Sequence, residues 1–214
     1  MAARGGVRGG GVVGGGRSDE VRCSSPAALL AICFQEVTMC GNTALRIELD
    51  RIITNSKTFK EYSDEIERLR AAHRHDIIVF EETNRHQGVQ PTCYAFALGL
   101  AENDQYREIL REEPEGTRPP IDKIFVNALV SGGQLATRDA PYKKNDIVLY
   151  LVGTELKHAG TLILENGRVR SKWGPLEVHE HDMWEVPNSY GDAVNFYFAP
   201  DPSVVLGLLR NQNN

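Results

Sequence analysis

The sequence predicts an α+β fold, and three observations carry that prediction. Helical patterning fills the chain before Pro141, β-rich apolar runs follow it, and Asn166-Gly167 supplies a tight hairpin signal between two of those runs. Helices first and strands afterwards imply an antiparallel sheet rather than alternating βαβ units. Ala44 to Arg51 and Phe59 to Ala72 carry helical spacing, the second with Tyr62, Ile66 and Leu69 three to four apart and Glu/Arg pairs on the opposite face. Asp76 to Phe80 is a short apolar β-rich run, and Thr83 to Pro91 is a polar loop. From Cys93 onward, Tyr94, Ala95, Phe96, Ala97, Leu98 and Leu100 fill every face of a helix, which predicts a buried one. Asp104 to Glu112 and Asp122 to Val130 read as short helices, separated by Pro114 to Pro120, the second ended by Gly132-Gly133. Strands are expected over Ile147 to Val152, Lys157 to Glu165, Arg168 to Trp173 and Ala193 to Phe198.

Size and charge narrow the classes. A chain of 214 residues with 41% hydrophobic content is consistent with one core, and a net charge of −5 leaves no broad positive field for a phosphate backbone, so nucleic acid is not expected as a partner. No stretch approaches the ~18 apolar residues of a membrane span, so no membrane partner is expected either. Residues 1–42 read as a disordered Gly/Arg-rich leader, because its glycines lose too much backbone entropy to order without a core. Asp19 and Glu20 interrupt the basic stretch ahead of the apolar run Ala27 to Phe34, which disfavours a signal peptide and favours the cytoplasm; Met39 is an alternative start. Residues 43–200 are expected to form one domain and residues 201–214 a C-terminal tail. The cysteines at 23, 33, 40 and 93 show no CxxC spacing, which argues against a disulfide scaffold or a zinc ribbon.

The pattern richest in chemistry is Gln87-Gly88-Val89-Gln90-Pro91-Thr92-Cys93-Tyr94-Ala95-Phe96, followed by Lys157-His158-Ala159-Gly160 and then Ser171-Lys172-Trp173-Gly174. A thiol hydrolase needs a cysteine nucleophile, a base to take its proton and a donor for the oxyanion, and this order supplies a candidate for each. Cys93 is the candidate nucleophile, placed where the start of a helix lowers a thiol pKa, and His158 is the candidate base at the head of an apolar strand.

These segments resemble the papain-like superfamily, in which a Gln stands six positions before the nucleophile, an aromatic-Ala-Phe run follows it, and a polar-x-Trp-Gly segment follows the His. His158 follows Cys93 at about half the separation of roughly 130 to 150 residues in papain-type proteases. The succession Asn145 to Tyr150, His158 to Leu164 and Asn166-Gly167 is similar to the compact NlpC-like branch of amidases and peptidases, and the likeness spans about residues 85–198. The resemblance implies a papain-like (NlpC-like) fold, with a buried Cys-bearing helix packed on an antiparallel sheet, and cleavage of an amide, peptide or isopeptide bond through a thioester. It implies an oxyanion hole made by Gln87 and the Cys93 backbone N–H, with Gln90 as rival to Gln87. It also implies a third catalytic residue at Ser171, where papain-like enzymes carry Asn, and site shielding by Trp173, whose alternative role is a core anchor.

Two rival readings accompany this one. The domain can be a catalytically inactive papain-fold module that binds a partner, or a metal-dependent enzyme using His73-Arg74-His75-Asp76 or His179-Glu180-His181-Asp182. The polar residues around both clusters favour solvated surface over ligation, so no metal and no cofactor are expected. The expected partner is a peptide or amide-bearing substrate.

Overall fold

A computed structural model of the chain describes residues 42–56, 58–80, 89–114, 117, 119–163, 167–173 and 177–212. Residues 1–41 with the cysteines at 23, 33 and 40, and also Gln87, Asn166 and Gly174, lie outside the described residues. Helices α1 (Thr43–Asn55) and α2 (Phe59–His73) come first, then strand β1 (Ile78–Phe80), followed by helices α3 (Cys93–Ala97), α4 (Asp104–Glu112) and α5 (Lys123–Ser131). Strands β2 (Ile147–Val152), β3 (Glu155–Leu162), β4 (Arg168–Lys172) and β5 (Val178–Asp182) follow, then a 3-10 turn over Asn188–Tyr190, strand β6 (Ala193–Tyr197) and helix α6 (Pro202–Gln212). The six strands form one sheet in the order β1-β5-β4-β3-β2-β6, and every neighbouring pair is antiparallel. The protein is therefore an α+β fold on an antiparallel sheet.

Local chemistry explains the helix starts. Asn42, Thr58, Thr92, Asn103 and Asp122 each turn a side-chain oxygen to an otherwise unpaired N–H of the first turn, and Thr58 with Glu61 completes a reciprocal capping box. Helix α3 is much shorter than the apolar run from Cys93 suggests. Leu98 closes it and Gly99, at φ 72, takes the left-handed conformation that turns the chain away.

Strand alternation divides the core in two. Along β2, Ile147 and Leu149 face one side, where they pack with Tyr94, Leu100, Phe125, Leu129 and Leu206 of the later helices. Val148 and Tyr150 face the other side, which α1 and α2 cover with Leu45, Leu49, Ile52, Tyr62 and Ile66. Each buried aliphatic or aromatic side chain contributes roughly 1.5–3 kcal/mol, so both layers hold the sheet.

Two segments differ from the sequence reading. Residues 201–214 were expected as a tail, yet Pro202–Gln212 is helical and buries Val205, Leu206 and Leu209 against the first side. The sequence expects solvated surface over His179 to Asp182, yet these residues belong to strand β5, paired on both sides by β1 and β4, with His179 and His181 at 0% exposure. Its charged residues Glu180 and Asp182 occupy the opposite parity, which masked the alternation in the sequence.

Candidate functional site

Cys93 opens α3, and its position is fixed from two directions. The Thr92 hydroxyl accepts from Ala95 N–H at 3.1 Å and donates to the Ile121 carbonyl at 2.7 Å, which ties the helix start to the segment ahead of α5. Cys93 then packs against the first-side cluster, and the backbone N–H of Ala159 on β3 points at its sulfur. The residue keeps some exposed surface, but protein atoms enclose the sulfur, and that burial pushes the thiol up to about 12. The N–H groups of Ala159, Tyr94 and Cys93 itself pull the other way without overcoming it. The lowering expected from a helix start is thus reversed, because a five-residue helix carries little dipole and desolvation dominates.

His158 is one residue from that contact, yet its ring is elsewhere. It stands inside β3 rather than at its head, and a bulge that inserts Lys157 opposite the Tyr150/Leu151 step sets its direction. The bulge lets Leu156 and Ala159 both face the first side and puts His158 beside Tyr150 on the second. There its ring stacks on Tyr190 at 3.9 Å between centroids and tilts against Tyr150 at 5.6 Å. Burial holds it neutral, well below the usual imidazole range, and nearby His181 adds to the effect. Among the described residues no hydrogen bond joins it to Cys93, and its Nε2 is buried without a hydrogen-bond partner. Cys93 and His158 are therefore neighbours through the backbone and are not joined through their side chains.

Ser171 is committed to another partner. The His181 Nδ1 lies 2.8 Å from the Asp182 carbonyl, an acceptor only, so Nδ1 carries the proton and Nε2 is the acceptor. The Ser171 hydroxyl accordingly donates to His181 Nε2 at 2.8 Å and accepts from Trp173 Nε1 at 2.9 Å. Trp173 shields no bond of His158 to Ser171; fully buried, it anchors the core and stacks on His179 at 4.0 Å and 10°. Both ring nitrogens of His179 are buried without a hydrogen-bond partner, and Tyr62 of α2 meets its edge at 5.4 Å.

The sequence reading placed the histidines of β5 on the surface and so missed this second-side cluster. The available signal was parity: His179 and His181 stand opposite Ser171 and Val169, whose strand has a buried side. The other histidine cluster is structural as well. His75 donates from Nε2 to the Ile66 carbonyl at 2.9 Å and accepts at Nδ1 from Ile77 N–H at 3.2 Å, leaving no lone pair for a metal. Among the described residues, no three His, Cys, Asp or Glu side chains are arranged to hold a metal ion. No helix among them is long and apolar enough to cross a membrane.

Fold and site together define a layered α+β domain with a thiol on one side of its sheet and a buried histidine cluster on the other. The chain belongs to a family described as a domain of unknown function (DUF7689), which matches residues 91–198 and so takes in Cys93, His158, Ser171, His179 and Tyr190. Helices α1 and α2 lie outside that match. No curated protein and no solved structure matches the chain.

Proposed function

We propose that the protein is a thiol-dependent hydrolase of papain-like, NlpC-like fold that cleaves an amide, peptide or isopeptide bond through a thioester at Cys93. The observation that carries this reading is the approach of the Cys93 sulfur to the N–H of Ala159, the residue bonded directly to His158. That contact puts the sulfur one residue along the backbone from His158, the neighbourhood from which a Cys–His pair can assemble. The Cys93 thiol would attack the carbonyl carbon, His158 would take the thiol proton and return it to the leaving amine, and water would release the acyl group. For that to happen the ring must turn from Tyr190 to the sulfur, because burial raises the thiol to about 12 and leaves it protonated at neutral pH unless a base takes its proton.

The same high thiol pKa favours a second reading, a non-catalytic papain-fold domain that binds a partner. Hydrolysis of a panel of peptidyl coumarin amides separates the two. Under the hydrolase reading, turnover appears and Cys93→Ala abolishes it while the melting temperature stays nearly unchanged. Turnover that is equal in Cys93→Ala and wild type, or absent throughout the panel, removes the thiol mechanism and leaves the binding domain.

A further inference from the structure

The segment that carries Tyr190 is tied down by α1 in an unusually complete way. Arg46, at 1% exposure, donates from Nε to the Val186 carbonyl at 3.1 Å and from Nη2 to the carbonyls of Pro187, at 3.4 Å, and Gly191. Its guanidinium also lies over the Trp184 ring at 5.7 Å. One helical turn later, Asp50 accepts from the Ser189 N–H at 3.1 Å and from the Ser189 hydroxyl at 2.5 Å. Two side chains on one face of α1 thus hold both flanks of Tyr190. From beneath, the Tyr150 hydroxyl donates to the Met183 carbonyl at 3.0 Å. Gly191, at φ 124, lies so close to β2 that an added Cβ would sit 2.3 Å from the Leu151 carbonyl oxygen.

We propose that Tyr190 is the positioning residue that parks the His158 ring, which the bulge at Lys157 aims to the second side, away from the thiol, and that Arg46 and Asp50 latch Tyr190 there, keeping Cys93 and His158 apart. This inference rests on the hydrolase reading for its consequence, but its geometry stands on the contacts themselves. The parked ring is held by stacking: Tyr190 covers its face at 3.9 Å and 17°, while its Nε2 makes no hydrogen bond that turning would break. Ala159, whose N–H points at the Cys93 sulfur, is bonded directly to His158, so a ring freed from the stack starts one residue from the thiol. The latch also comes from α1, outside the part of the chain that the family covers, whereas the parked ring and its cover lie within it.

The test is iodoacetamide labelling of Cys93 in the full chain, read by mass spectrometry of its peptide from about pH 6 to about pH 10. Wild type should label slowly near neutrality, with a rate that climbs to the alkaline end. Tyr190→Ala should raise the rate at neutral pH about tenfold or more, the equivalent of at least one pKa unit, and give a plateau that the added His158→Gln change abolishes. Tyr190→Phe keeps the stacking face and should label as wild type, while Asp50→Ala and Ser189→Ala, at the exposed rim of the latch, should give intermediate rates. Should Tyr190→Ala fail to fold, those two rim variants carry the test. A folded Tyr190→Ala that labels as wild type overturns the proposal, and so does a gain that persists without His158, since mere opening of the thiol would explain it. A His158-dependent gain without any Cys93-dependent hydrolysis keeps the latch and removes the hydrolase. Cys93-dependent hydrolysis in a chain whose labelling ignores Tyr190 does the reverse.

Discussion

The two sides of the sheet are built on different principles. The side that holds Cys93 is filled by hydrocarbon from α3 to α6, with Leu100, Phe125, Leu149 and Leu206 at or near full burial. The side beneath α1 and α2 is also a closed core, but its floor carries His158, Ser171, Trp173, His179 and His181, joined partly by hydrogen bonds and partly by ring stacking. Apolar packing tolerates a change of pH, whereas neutral imidazoles enclosed in a core do not, because each must stay unprotonated for the layer to close. Acid sensitivity should therefore be confined to one side of one sheet.

The largest effect expected from that contrast is on stability below neutrality. Burial lowers the pKa of His158 and His179 well below the ordinary value and that of His181 to about 4. The unfolded chain then binds more protons than the folded one as soon as pH falls through about 6.5, so stability is complete above that value and declines beneath it. Each buried histidine contributes a slope of up to ~1.4 kcal/mol per pH unit, and three together roughly 4, with the His181 share ending near its folded pKa of about 4. Urea unfolding at pH 7.5, 6 and 5 should show the decline, and His179→Phe, which keeps an aromatic face for Trp173, should flatten it by about a third. An unchanged unfolding midpoint across that range would mean the rings are hydrated in solution.

A smaller effect comes from the anchor of the second side. Trp173→Ala removes a fully buried ring and leaves Ser171 and His179 without their neighbour, so unfolding free energy at pH 7.5 should fall by about 3–5 kcal/mol. Leu149→Ala on the Cys93 side should cost about 2–5 kcal/mol by the same cavity mechanism, yet leave the acid slope as in wild type. Equal changes of slope in the two variants would erase the distinction between the sides.

The smallest is Ser171→Ala. It leaves His181 Nε2 without its donor and Trp173 Nε1 without its acceptor, at a cost of about 1–3 kcal/mol in the same unfolding assay. Because Ser171 bonds His181 and not His158, any turnover the protein shows should survive in proportion to the folded fraction. A loss of turnover as complete as that of Cys93→Ala would return Ser171 to the catalytic set.

Local chemistry made much of the fold legible. Asp104–Glu112 and Ile147–Val152 carry their own caps, periodicity or β-branched content, and both form where the sequence predicts them. The start of α2 follows likewise from Thr58 and Glu61. Strand β5 was not legible, because His179-Glu180-His181-Asp182 reads as polar until a sheet partner and a covering helix make one parity a core. The same holds for the tail that became α6, whose Val205, Leu206 and Leu209 mean little without the cluster they enter.

What the sequence determined by itself was composition and order: helices ahead of strands, a cysteine at a capped helix start, a histidine in an apolar strand and a serine two residues before a tryptophan. Each of these depends on bonds within a few residues of chain, which propensity and capping already encode. Tertiary structure alone decided which side each group faces and which partner it meets. One inserted residue, Lys157, fixed the direction of His158, and the pairing of β4 with β5 brought Ser171 within reach of His181. The physical reason is the two-residue period of a strand: a single bulge reverses every side chain beyond it, and only the register against neighbouring strands shows that it is there.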